Sequence, residues 1–78
     1  MSQLNKVIAR VLQVNETEIN DNSSPENINT WDSFNGLMLA MELEKEFKIS
    51  FTMEEIMDVT NVKDIKRHLS KHGVNTDA

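Results

Sequence analysis

Between Ser33 and Phe47 the chain carries more apolar residues than one helix face can hold. At about 100° per residue, Gly36, Leu39, Ala40, Leu43 and Phe47 fall on one arc, and Phe34, Leu37, Met38 and Met41 fall on another. The first arc is a core stripe. The second needs either a covering helix or a partner. A chain of 78 residues has room for one small core, with stability on the order of 5 kcal/mol. This helix is therefore the element the others must pack around. Gly36 costs it roughly 1 kcal/mol of propensity, which a close helix approach at that point would offset.

The rest of the chain supplies the partners. Leu4, Val7, Ile8, Val11 and Leu12 recur at helical spacing, which predicts an amphipathic helix from about Gln3 to Gln13 with Ser2 as its cap. From Val14 to Asp32 the periodicity fades into Asn, Asp, Ser and Pro. That is a long loop, pinned to the core by Val14, Ile19 and Ile28. It is not a calcium loop: counted from Asp21, Pro25 stands where an oxygen ligand belongs and Glu26 where the turn needs glycine. Thr52 and Glu55 form a capping box for a short helix from Met53 to about Asp58, with Ile56 and Met57 facing inward. A last helix starts near Val62, capped by Asn61 or Thr60, with Val62, Ile65 and Leu69 inward and Gly73 at its end. Residues 75–78 form a frayed tail. No stretch alternates as a strand would. The expected fold is all-α, a four-helix bundle in one domain over 1–78, with a long loop between helices 1 and 2 and a short third helix.

Composition removes several chemistries. There is no cysteine, hence no disulfide, thiolate metal site or thiol nucleophile, and a reducing compartment is expected. No apolar run approaches the ~20 residues that span a membrane, and the N-terminus lacks a signal-peptide layout, so the expected location is the cytoplasm. The net charge is -5, but from Val11 to Val62 eleven acids face only Lys45 and Lys48. Such a middle argues against nucleic acid and favours basic protein partners. His68 and His72 have the spacing of helical zinc ligands, but no third ligand is evident, so they are expected at the surface or edge, with no metal. Asp32 is adjacent to Ser33, and nothing marks an oxyanion hole, so no catalytic triad is expected. The two glycines build no phosphate loop. No catalytic residue is expected, and the chain is not read as an enzyme.

What remains is Ser33 and its surroundings. Trp31-Asp32-Ser33-Phe34, followed by Leu37, Leu39, Leu43, Glu44-Lys45-Glu46-Phe47 and Ile49, resembles the acyl carrier proteins. Their signature is Asp-Ser-Leu at the start of the second helix, then an apolar helix ending in acids and a phenylalanine. The resemblance covers nearly the whole chain. It implies that Ser33, marked by Asp32, carries covalent 4′-phosphopantetheine, delivered from coenzyme A by a phosphopantetheinyl transferase. The arm would hold acyl intermediates as thioesters and pass them among acyl- or aminoacyl-loading and acyl-transferring enzymes. Phe34, Leu37, Met38, Met41, Glu44, Glu54 and Glu55 would meet those partners. Leu39, Leu43, Ile56 and Met57 would shelter the acyl chain. The carrier would act as a monomer.

The sequence also departs from the common fatty-acid carriers. Thr30-Trp31 replaces their glycine-containing pair, Asn35 and Met38 stand where they place acids, Phe34 replaces leucine, and Lys45 interrupts the acidic run. Peptidyl carriers, with glycines before the serine and no such aspartate, fit less well. These differences imply a specialised pathway (polyketide, aminoacyl or sugar-modifying), with generic fatty-acid synthesis as the competitor. They also suggest that partner choice is written in Trp31 and the residues just after Ser33. The alternative is a small helical protein-interaction domain in which Ser33 is only a helix cap.

Overall fold

A stripe of aliphatic side chains every three or four residues drives the first helix, α1, over Gln3–Leu12. A computed structural model describes residues 3–75. Leu4, Val7, Ile8 and Leu12 are buried on one side of α1, each worth about 1.5–3 kcal/mol of transfer free energy. The helix stops where Gln13 turns into the left-handed region at φ 56°, and the Val14 amide folds back onto the Ala9 carbonyl at 3.1 Å. Ser2, the expected cap, and residues 76–78 of the expected tail lie outside the described residues.

Helix α2 spans Ser33–Phe47 and packs along α1. Leu39, Ala40 and Leu43 are its buried residues. It ends at Lys48, whose φ of 56° is left-handed and whose amide reaches the Glu44 carbonyl. Helix α3 is five residues, Met53–Met57, opened by the Thr52–Glu55 capping box. Helix α4 runs Val62–Lys71 with Asn61 as its cap. It buries Val62, Ile65 and Leu69, and Gly73 at φ 82° turns the chain away after it. The architecture is the expected four-helix one, with no strand among the described residues. None of these helices is long and apolar enough to cross a membrane.

The long loop is more ordered than its composition suggests. Asn15 and Glu18 close a capping box around one 3₁₀ turn, Glu16–Glu18. Ile19 and Ile28 are buried, as is the Ser23 hydroxyl group's residue; that hydroxyl accepts the Asn20 amide at 2.9 Å. Thr30 donates its hydroxyl to the Leu12 carbonyl at 2.5 Å, tying the loop's end to the end of α1. The loop also completes α4. The Ser23 carbonyl accepts the Val62 amide at 2.9 Å and the Asp21 carbonyl accepts the Lys63 amide at 3.1 Å. Two amides that a helix start leaves without intrahelical partners are thus satisfied.

Two expectations about packing are corrected here. The space in front of Gly36 is filled by the Trp31 indole, whose Nε1 would lie 3.4 Å from an added Cβ, and not by another helix. Met57 does not face inward: it is 77% exposed, because successive helical residues point about 100° apart and the half-buried Ile56 takes the inward side.

Helices α3 and α4 are joined by charge. Arg67 bridges Asp58 at 2.8 Å and Asp64 at 3.3 Å, and His72 meets Glu55 at 3.0 Å. The Thr52 amide, with help from His72, holds the Glu55 carboxyl below its ordinary range. Arg67 and then His68 do so for Asp58, and the Thr60 hydroxyl and amide for Asp64. A depressed carboxyl pKa contributes stability above its unfolded value and loses it as pH falls through the folded one. Thermal unfolding across pH should therefore show no loss from these groups at neutral pH and a decline setting in below about pH 4. A decline complete before pH 5 would contradict this assignment.

Candidate functional site

The start of α2 is built by Asp32, not by the serine. Asp32 sits in extended backbone at φ -112° and ψ -174°. Its Oδ1 accepts the Asn35 amide at 2.8 Å, and its carbonyl accepts the Gly36 amide at 2.7 Å. Ser33 is the first helical residue. The reading of Ser33 as only a cap is thereby corrected: the capping atom belongs to its neighbour. Ser33 itself is exposed, so its hydroxyl is open to reagents.

Asn35 fixes this junction from the other side, donating its side-chain amide to the Thr30 carbonyl at 2.8 Å. An aspartate or glutamate there would have no hydrogen to give while ionised. The departure at Asn35 thus has a structural reason. Trp31 has one too. It is 5% exposed, with its amide on the Ile28 carbonyl and its indole against Gly36. A buried side chain cannot be where a partner reads the surface, which corrects that expectation for Trp31.

Beside the helix start lies a cavity of about 520 Å³, within the range of ligand sites. Asp32, Ser33, Gly36 and Leu37 line it from α2, and so do the deeper Leu39, Ala40 and Leu43. Its other walls come from Trp31, Phe51, Ile56, Met57, Val59, Ile65 and His68. The cavity thus gathers Leu39, Leu43, Ile56 and Met57 around one space. Met57 reaches it as an exposed residue.

The second apolar arc of α2 is not covered by a helix. Phe34 is 71% exposed, Leu37, Met38 and Met41 are exposed as well, and so is Met53 of α3. Glu54 is exposed too. Two other acids have internal work. Glu44 accepts the Phe51 amide at 2.7 Å, and Glu55 holds Thr52 and His72. His68 is neither at the surface nor at an edge: it is 4% exposed, with Nε2 3.0 Å from Asp58 Oδ2. A histidine three residues after Ile65 and six after Val62 falls on the buried face of α4, and that spacing was the signal that could have revealed it.

A family model described as the phosphopantetheine attachment site matches residues 2–69. The chain belongs to this family. Its members carry covalent 4′-phosphopantetheine and are carriers, not catalysts. Among solved structures, the carrier is similar to a Mycobacterium tuberculosis protein assigned as an acyl carrier protein. The identity is 25% and the TM-score 0.78, over 88% of this chain and 92% of that one. The residues present fit the cofactor. An exposed hydroxyl stands at the first turn of a helix, where backbone amides favour a phosphate, and a largely apolar cavity opens alongside.

Proposed function

We propose that Ser33 is the attachment residue and that the carrier shuttles acyl groups as thioesters between partner enzymes. One observation carries the assignment: Ser33 is an exposed hydroxyl on the wall of the cavity beside the α2 start. In the attachment step Ser33 Oγ bonds to the pantetheine-side phosphorus of coenzyme A. The pyrophosphate P–O bond breaks, the nucleotide bisphosphate leaves, and the hydroxyl proton passes to a base on the transferase, which also supplies Mg²⁺. When bound, the arm supplies the thiol this cysteine-free chain lacks. The chain's own residues then position and shelter. Asp32 fixes the helix start, and Leu39, Leu43, Ile56 and Met57 offer apolar walls to an acyl chain. Phe34, Leu37, Met38 and Met41, with Glu54, form the surface that loading and transferring enzymes grip. Glu44 and Glu55 hold that surface in shape.

Incubation with coenzyme A and a broad-specificity transferase should add about 340 Da to the intact mass; no gain beside a competent control carrier would defeat the proposal. A specialised pathway is the reading favoured by the apolar docking face, where the exposed Met38 replaces an acid. Loading the modified carrier and offering it to fatty-acid synthase enzymes tests this point. Poor elongation is expected, and efficient elongation would sink it.

A further inference from the structure

From Ser33 to Met41 the chain places no charged side chain. These are about the first two and a half turns of α2. Phe34, Leu37, Met38 and Met41 stand exposed along them, at spacings of three and four residues that put them on one stripe. The next turn of that stripe brings Lys45, a cation whose side chain is 80% exposed. The acids of the helix are engaged elsewhere. Glu42 bridges to Arg10 of α1 at 3.1 Å, Glu44 accepts the Phe51 amide at 2.7 Å, and Glu46 meets the Gln3 side chain. Asp32, next to Ser33, lines the cavity and has Oδ1 on the Asn35 amide. The acidic middle of the sequence therefore does not become an acidic stripe on α2 beside Ser33.

The occupant of this stripe follows from the attachment step. An enzyme that forms a bond at Ser33 Oγ must stand over the turn that carries Ser33, and Phe34 and Leu37 are the neighbours one and four residues on. Resting on the carrier reading above, we infer that the stripe is the docking face for a phosphopantetheinyl transferase whose own contact surface is apolar instead of basic, with Phe34 as the anchor seated in its pocket. A partner Arg or Lys pressed onto Phe34 and Met38 would lose its water with no counter-charge on the stripe to replace it, and Lys45 would repel it. An apolar surface meets neither penalty. An aromatic ring among flexible methionines has the composition of an interface centre, and the aromatic residue is where binding energy concentrates.

Two transferases serve as probes, one whose carrier-docking surface is apolar and one whose surface is lined by Arg and Lys. Each is given coenzyme A and the full chain, and kcat/KM is read from the gain in intact mass, relative to a control carrier that the same enzyme modifies well. The apolar enzyme should be better by about tenfold. Phe34→Ser should cut its kcat/KM by about tenfold. Met38→Glu should lower the rate of the apolar enzyme and raise that of the basic one, shifting their ratio by about tenfold. Both side chains are exposed, so circular dichroism should show the helices unchanged. The inference is overturned if the basic enzyme modifies the wild type as well as the apolar one does. It is also overturned if Phe34→Ser is modified at the wild-type rate, or if Met38→Glu leaves the ratio where it was. A wild-type dimer in sedimentation that Phe34→Ser dissolves would assign the stripe to a second copy and overturn it too. If neither enzyme modifies Ser33, the carrier reading fails first and takes this inference with it. A modified Ser33 with the opposite preference overturns the inference alone.

Discussion

Replacing Ser33 by alanine should abolish the mass gain with coenzyme A entirely and leave the fold almost unchanged. The two halves of this result come from different atoms. In the proposed attachment the Ser33 hydroxyl is the nucleophile, and neither neighbour replaces it: Asp32 is a capping carboxylate, and the chain has no thiol. The helix start, by contrast, is held by Asp32 Oδ1 on the Asn35 amide. Alanine at the first helical position is a good helix former, so the stability change should stay within about 0.5 kcal/mol. Asp32→Ala is the complement. It should cost about 1 kcal/mol through the lost cap, while Ser33 keeps its hydroxyl. Urea unfolding and intact mass on both variants separate the roles. A modified Ser33→Ala protein would place the arm elsewhere. A loss above about 1 kcal/mol in Ser33→Ala would return the cap to the serine.

Trp31→Ala should be among the most damaging single changes in the chain. The indole is 5% exposed, lies in the core with Ile19 and Ile28, and forms part of the cavity wall. Truncating a buried tryptophan costs about 3–5 kcal/mol, comparable with the whole stability of a domain this size. The urea midpoint should collapse, with a large unfolded fraction already present in buffer. Trp31→Phe should recover most of the loss by refilling the space against Gly36. An unchanged midpoint in Trp31→Ala would mean that the indole is a surface group after all.

Much of this molecule was legible because its core obeys one period. The stripes of the first, second and last helices each put their buried residues where 3.6 residues per turn puts them. The capping box at Thr52 was readable because it is local. What escaped depended on contacts between distant segments. Nothing near Asp21 or Ser23 says that their carbonyls will cap a helix some forty residues later. Trp31 was ambiguous because a tryptophan serves equally at an interface and in a core. The second arc of the middle helix was undecidable for a related reason: whether it is covered depends on where the later helices pack, which only the assembled fold fixes. Ser33 and Asp32 could be singled out by position, but their division of labour could not, since either side chain can cap. Glu44 and Glu55 were readable as acids near a docking face, not as ligands of backbone amides.

The manner in which α3 is attached has a dynamic consequence. No residue of α3 is buried. Its ties to α4 are Glu55 to His72 and Asp58 to Arg67 and His68, helped by an edge-to-face contact of Phe51 with His72 at 5.4 Å. Such ties break singly and locally, without the cooperative loss that opening the α1–α2 pair would require. Amide exchange should thus be graded across the molecule, fastest in α3 and slowest in α1. The α3 side of the cavity is then the one that swings, and under the proposed role a long acyl chain would be admitted at the free energy of a local opening instead of that of unfolding.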